Sequence, residues 1–478
     1  VEVKKSDFSE WYNTIIKDAE LCDIRYDLKG FVVFMPWAVM TMNRMFSMYE
    51  CGLESKGHVP ALFPALIPES YLTRESEHVE GFVPEVFWVT AAGNNQLEER
   101  YAMRPTSETA MYSMYSLWIH GLKDLPLKIY QRCQVWRHET KATKPFIRSR
   151  EFYWIEAHDA FATKEQAEAQ VKEDMETTEK ILHQQFGVPF LFFKRPQWDK
   201  FAGAVDTYGA DTLMPDRRAL QLPSTHFLGQ NFAKPFNIKY TDENEESQYV
   251  WQTCYGPAIS RMYAAVIAVH GDDKGLVLPF DIAPVQIVIV PIVKKETEEK
   301  VMKKCRELEK KLCEKYTVKL DDSANTPGFK FNYWEMKGVP IRLEIGMRDM
   351  ENKSVVLVRR DTLEKKPVPE KDLEKTIEKL REDVRKNLRE KADKWFDGQN
   401  EKADSMEELA KKIEEKGFIR IPFCTDGMEG KPCAEAVKDK VHANIRGSLY
   451  GEKEKPKNKK CIGCGKPATL YLYASRQY

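Results

Sequence analysis

No apolar run in these 478 residues approaches the ~20 needed to cross a bilayer. Val1 to Asp18 also lacks the basic start, apolar core and small-residue cleavage site of a secretory leader. Net charge is absent too: 74 basic residues cancel 74 acidic ones, so any nucleic-acid contact has to come from a local patch rather than a global field. Cysteine is sparse. Ten in the chain fall far below the density of a disulfide scaffold, and Cys22, Cys51, Cys305 and Cys313 read as buried fillers. No internal repeat and no low-complexity tract stands out beyond the basic stretch 453–460. Two nucleotide signatures are missing as well, the GxxxxGK[ST] phosphate loop and a GxGxxG following a strand. What remains is an ordinary globular balance, 42% hydrophobic and 31% charged, long enough for two or three domains and expected in the cytosol.

Phe8, Trp11, Ile15 and Ile16 have helical spacing, with Asp7 and Glu10 as a start signal. As far as about Gly271, short apolar runs (31–35, 62–67, 129–136, 152–155) alternate irregularly with helical stretches. One of these is 164–185, which Thr163 and Gln166 are placed to cap. Such irregular alternation predicts a mixed, largely antiparallel sheet with helices, since a parallel sheet needs a crossover between successive strands. After 279–284 the composition changes. The β-branched run 285–293, a Lys/Glu-rich helix and a strand at 318–320 make a βαβ beginning, with further strands at 341–345 and 355–358. Leu373, Ile377, Leu380, Val384, Leu388 and Trp395 then predict an amphipathic helix. Ser405 with Glu408 reads as a capping box ahead of a small C-terminal unit. The expected division is 1–280, 281–380 and 381–478.

The segment IYQRCQVWRHETKATKPFIRSREFYWIEAH (Ile129–His158) reads as two strands joined by a basic loop. Phe152, Trp154, Glu156 and His158 alternate and share one face. Arginines at the mouth of such a hairpin suit phosphate oxygens, because a guanidinium offers forked donors and keeps its charge. A solvated hairpin, with Glu139 and Glu151 pairing those arginines, is the bland alternative. Near the C-terminal end, Cys461-Ile-Gly-Cys464 is a tight CxxC knuckle. With Cys424 and Cys433 it supplies four thiols, enough for a closed tetrahedral structural zinc site; unconnected cytosolic thiols are the alternative there.

Four segments, LFPALIP (Leu62–Pro68), RPTSET (Arg104–Thr109), the hairpin and RMYAAVIAVHGDDKG (Arg261–Gly275), occur in the order of the class II aminoacyl-tRNA synthetases. Together with WIEAH, HFLGQNF (His226–Phe232) and the C-terminal cysteines, the chain resembles the prolyl-tRNA synthetases of the archaeal and eukaryotic type along its whole length. The HIGH and KMSKS signatures of class I are absent. The resemblance implies a class II antiparallel sheet flanked by helices, an α/β anticodon-binding domain and a small α/β zinc-binding domain: an α+β and α/β multidomain protein. It implies proline–tRNA ligase activity on ATP with Mg²⁺, L-proline and tRNA(Pro), a homodimer with Pro64 at its interface, and Zn²⁺ on the four cysteines.

By the same resemblance Arg137 and Arg261 are the catalytic pair. Arg137, Glu139, Arg148, Phe152, Gln221, Ser224 and Arg261 bind ATP, and Phe152 with Arg261 sandwiches the adenine. Thr106, Glu108, Arg137, Trp154, Glu156, His158 and His226 bind proline, whose secondary ammonium has two N–H donors for a hydroxyl and a carboxylate. Lys330, Glu344 and Arg348 are candidates for the anticodon.

Departures from the family pattern lie in VDTYGAD (Val205–Asp211), in Pro223–Ser224, and in one additional residue in GPAIS before Arg261. The interval between hairpin and Arg261 is too short for the editing insertion of bacterial-type enzymes, and a pocket for proline also admits cysteine or alanine, since one methylene is worth only ~1–3 kcal/mol. Two other readings stay open: a non-catalytic tRNA-binding relative, and a class II enzyme for threonine or glycine.

Overall fold

A computed structural model describes residues 3–78, 86–138 and 142–478. Its first helix, Phe8–Asp18, buries Phe8, Trp11, Ile15 and Ile16 as the spacing predicts, although the Asp7 side chain makes no capping hydrogen bond. The catalytic sheet runs Leu191–Lys194, Asp206–Leu213, Ala219–Gly229, Trp251–Gly256, Glu151–Phe161, Leu127–Trp136, Val59–Pro60. Neighbours are antiparallel throughout except at the last pair, where Val59–Pro60 lies parallel to its partner. The helix Lys164–Thr178 packs on this sheet. It starts at a reciprocal cap in which Thr163 Oγ1 accepts from the Gln166 amide and Gln166 Oε1 from the Thr163 amide.

The hairpin pairs from Leu127↔Ala160 to Trp136↔Glu151, and this register divides its second strand between two environments. Ile155 and Ala157 enter the main core with Trp11, Tyr49 and the helix Ile259–His270. Phe152, Trp154, Glu156 and His158 line a cavity on the other face. A pleated strand has no other way to serve a core and a site at once.

The next unit has its own sheet, in the order Val318–Leu320, Ile287–Ile292, Ile341–Gly346, Ser354–Arg359, Lys365–Pro369. Its first three strands are parallel and the rest antiparallel. The helix Leu373–Asp397 follows, burying Leu373, Ile377, Leu380, Val384, Leu388, Ala392 and Phe396. Trp395, expected on that stripe, is exposed. Over roughly six turns a period of 3.6 residues drifts away from a seven-residue repeat, so the buried position moves on by one residue.

The C-terminal strands Asn400–Lys402, Phe418–Phe423, Leu470–Ser475 and Asn444–Leu449 continue the catalytic sheet, because Ser448 and Leu449 pair with Lys194 and Phe193 at its edge. Ser405 accepts from the Glu408 amide at 3.2 Å, which gives half of the expected capping box; the Glu408 carboxylate reaches the Asp404 amide instead. Of the four cysteines read as buried fillers, Cys305 is buried, Cys22 is half-buried, and Cys51 and Cys313 are exposed. The last two occupy outward positions near helix ends, where an apolar neighbourhood in sequence is no guide to depth.

Candidate active site

The cavity beside the hairpin measures about 460 Å³, within the range of small-molecule sites. Its lining gathers residues from four separate stretches: Thr106 and Glu108; Arg137, Arg148, Phe152, Trp154, Glu156 and His158 of the hairpin; Gln221, Ser224 and His226; and Arg261. Glu139 lies outside the described residues.

At one end the arginines rest on main-chain oxygens. Arg137 Nε donates to Pro105 O at 2.9 Å, which ties the RPTSET loop to the hairpin, and its guanidinium stands 5.4 Å from the Phe152 ring centre. Arg261 donates from Nε to Ile147 O and from NH1 to Gln221 O. Arg148 NH2 donates to the main-chain oxygen of Tyr478 at 2.8 Å, and the Tyr478 hydroxyl donates to Asp216. A guanidinium offers forked, permanently charged donors, which suit phosphate oxygens.

The other end is a closed network of side chains. Glu156 accepts from Ser107 Oγ at 2.5 Å, Gln131 Nε2 at 2.7 Å and His158 Nε2 at 3.0 Å. His158 Nδ1 is 2.9 Å from the Tyr112 hydroxyl. Burial works against the charged imidazolium, but the Glu156 hydrogen bond and the carboxylates of Glu108 and Glu156 outweigh it and raise the pKa of His158. Burial also favours a neutral Glu156, yet the hydrogen bond and charge of His158 hold it below the ordinary carboxylate range. The charged His158–Glu156 pair is thus self-consistent.

Glu108, joined to Thr106 by a short hydrogen bond, has its pKa raised by burial first, with Glu156 adding to the effect and His158 opposing it. Burial disfavours the ionised form of Glu108, and a cation placed beside it would favour that form. His226 behaves oppositely: burial, then the charges of His158 and Arg195, drive its pKa down to about 3, so it stands neutral between Thr207 at 2.9 Å and Ser224 at 3.1 Å.

Both contacts come from segments read as departing from the family pattern. VDTYGAD supplies Thr207, and Pro223–Ser224 supplies the hydroxyl, both serving His226. Sequence reading missed Ser107, Gln131 and Tyr112. Tyr112 had a signal, standing four residues after Glu108 and so one helical turn away on the same face. Arg195, which also lines the cavity, had none.

In the C-terminal unit the sulfurs of Cys424, Cys433, Cys461 and Cys464 lie within 4.8 Å of one another, with Cys424 and Cys433 3.7 Å apart. Four thiolates at ~2.3 Å from a tetrahedral zinc stand roughly 3.8 Å apart, so this donor set fits. Gly463 is required in the knuckle, because a Cβ there would fall 2.6 Å from that of Cys433. Among the proposed anticodon residues, Lys330 is buried with its ammonium on Asp321 O, Glu344 is buried between Arg342 and Lys365, and Arg348 is exposed.

An arginine-lined end joined to an acid-lined pocket on an antiparallel sheet defines a class II aminoacyl-tRNA synthetase. Residues 87–270 match the tRNA synthetase class II core domain (G, H, P, S and T), 286–380 the anticodon binding domain, and 406–478 the prolyl-tRNA synthetase C-terminal domain. The chain is 50% identical to the proline–tRNA ligase of Thermofilum pendens, over 99% of this chain and 98% of that one. To the proline–tRNA ligase of Pyrococcus abyssi it is 43% identical, over 98% of each. Giardia lamblia prolyl-tRNA synthetase in complex with prolyl-adenylate is similar in structure, with a TM-score of 0.95, 37% identity and 99% coverage of both chains. The chain belongs to the prolyl-tRNA synthetase family.

Proposed function

We propose that this chain activates L-proline with ATP and transfers it to tRNA(Pro), with the residue roles expected from its sequence. The observation that carries this is the cavity with two chemically opposite ends, arginines at one and the Glu108–Glu156–His158 network at the other. Arg137, Arg148 and Arg261 hold the phosphates, Phe152 and Arg261 the adenine, and Gln221 and Ser224 belong to the ATP-binding set. Glu139, outside the described residues, keeps the ATP-binding role that the resemblance implies. Thr106 and Glu108 take the proline ammonium, while Trp154, His158 and His226 wall its methylenes.

The proline carboxylate attacks the α-phosphorus and pyrophosphate leaves. The terminal ribose hydroxyl of tRNA then attacks the adenylate carbonyl and AMP leaves. Positioning and charge stabilisation supply the rate, with Mg²⁺ arriving on ATP. Zn²⁺ on Cys424, Cys433, Cys461 and Cys464 has a structural part only, since four protein thiolates leave no open position.

Functional units at 1–280, 281–380 and 381–478 are part of the same reading. A homodimer is supported by exposed Val59, Leu62, Leu66, Leu117 and Trp118 around Pro64, joined through the Phe63–Trp118 ring contact, because contiguous exposed apolar side chains mark interfaces. For the anticodon, exposed Phe329, Tyr333 and Arg348 offer stacking and pairing groups, whereas Lys330 and Glu344 act from beneath by fixing that unit. Between Phe161 and Ile259 the described elements belong to the sheet, its covering helix or the hairpin Lys239–Tyr249, which supports a chain without an editing insertion; mischarging with cysteine or alanine is a further part of the proposal.

Among the described residues no helix is long and apolar enough to cross a membrane, and the cytosol is the compartment proposed. Charging tRNA(Pro) transcripts with each of proline, threonine, glycine, cysteine and alanine tests the proposal. Proline is expected to give the highest kcat/KM, and a higher value for threonine or glycine overturns the specificity.

A further inference from the structure

The strand Asp206–Leu213 places Asp211 opposite Gln221 across the sheet. Between and behind them lies a buried chain of hydrogen bonds that the reaction itself does not call on. Arg195 grips Asp211 with both prongs, NH2 to Oδ1 at 2.6 Å and NH1 to Oδ2 at 2.9 Å. Arg446, from the C-terminal strand Asn444–Leu449, donates from Nε to the same Oδ2 at 2.7 Å, and its main-chain oxygen accepts from Arg195 NH1 at 2.7 Å. All three side chains are buried. Burial opposes the Asp211 charge, but the two guanidiniums win and hold its carboxyl down to about 2. Gly209 clears the space: a Cβ there would stand 2.4 Å from Arg195 NH2.

Arg195 NH2 makes one more bond, to Gln221 Oε1 at 3.0 Å. A guanidinium only donates, so this contact fixes which way the Gln221 amide faces: oxygen to Arg195, and the two N–H donors of Nε2 left for an acceptor in the cavity. The main chain of Gln221 is held separately, its carbonyl accepting from Arg261. Gln221 is thereby oriented by one arginine of the nucleotide end and by another that is anchored in the C-terminal unit.

We infer that Arg446 is a positioning residue for ATP, acting through Asp211 and Arg195 to present the Gln221 amide donors to an oxygen of the nucleotide. This rests on the reading of Gln221 as part of the nucleotide end. The C-terminal unit then contributes to substrate binding from behind the sheet, and the contribution is selective for one substrate.

Proline-dependent ATP–pyrophosphate exchange on the full chain tests it, with Arg446→Gln and Gln221→Ala measured singly and together. Arg446→Gln is expected to raise KM for ATP about tenfold, the size of one charge-assisted hydrogen bond, while KM for proline changes less than about twofold. In the Gln221→Ala background the same substitution is expected to have almost no further effect on KM for ATP, because the group it orients is gone. Equal rises in both KM values, or an undiminished effect in the Gln221→Ala background, overturns the inference in favour of general structural support. Should Arg446→Gln not fold, Arg195→Lys makes the same comparison while keeping the buried charge. No exchange by the unmutated protein would strike the underlying reading of the site; exchange with the wrong KM pattern strikes only the relay.

Discussion

The two ends of the cavity are built on different principles. At the end proposed for the nucleotide Arg137, Arg148 and Arg261 donate to main-chain oxygens, so backbone geometry helps to place them. At the proline end Glu156, His158, Ser107, Gln131 and Tyr112 bind one another. Charge there is balanced within the protein, and Glu108 is kept for the ligand. The first arrangement suits a polyanion that brings its own Mg²⁺. The second suits a small cation that has to be told apart from close relatives, because a buried network punishes a partner that leaves a member unsatisfied.

The largest test of this contrast is removal of an arginine. Arg137→Ala is expected to lower kcat for proline-dependent exchange about 10²–10³-fold, the usual loss for a preorganised donor on developing charge. A loss confined to KM for proline would break the distinction between the ends. Next in size, Glu108→Ala is expected to raise KM for proline by about 10–100-fold, the worth of one or two charge-assisted hydrogen bonds, with KM for ATP nearly unchanged; steady-state kinetics with each substrate varied decide it.

Removing the Zn²⁺ proposed for the four cysteines with a chelator sharpens the contrast differently. The C-terminal unit joins the sheet at Leu191–Lys194, two strands from the one that carries Gln221, and reaches it through Arg446, Asp211 and Arg195, so KM for ATP should rise several-fold more than KM for proline, alongside a fall in Tm, since metal binding is linked to folding.

Smallest is a pH effect behind the proline end. Burial, then the charge of Asp159, pushes the Asp174 carboxyl up to about 7. A raised carboxyl pKa gives stability that is fully present below the unfolded value near 3.8 and is lost as pH rises through the folded value. Asp174→Asn is therefore expected to raise Tm by a few degrees at pH 8 and hardly at all at pH 4, as thermal melts at the two pH values would show; about 1.4 kcal/mol accompanies each tenfold change in proton affinity. Equal effects at both would remove the charge from the explanation.

The contrast also separates what could be read in the sequence from what could not. The hairpin and its alternating Phe152, Trp154, Glu156 and His158 were legible because a strand has a period of two, and Thr163 with Gln166 because a cap is local. The antiparallel core and the βαβ start of the second unit were legible for the same reason. The link between Arg195, Asp211 and Arg446 was not, because Arg195 and Arg446 carry no motif, VDTYGAD gives no sign of what Asp211 binds, and Arg446 lies 235 residues beyond Asp211. Nor was the continuous sheet, whose joining pair, Ser448 with Lys194 and Leu449 with Phe193, depends on long-range register. Lys330 and Glu344 looked like surface charges, since composition does not record that Asp321, Arg342 and Lys365 bury and pair them.

The central claim, an adenylate site whose acid-lined end selects proline, is tested most directly by ATP–pyrophosphate exchange on the purified protein across the twenty amino acids. Proline is expected to support the fastest exchange, with cysteine and alanine well behind and threonine and glycine at background. Faster exchange with any other amino acid, or none with all twenty, would contradict it.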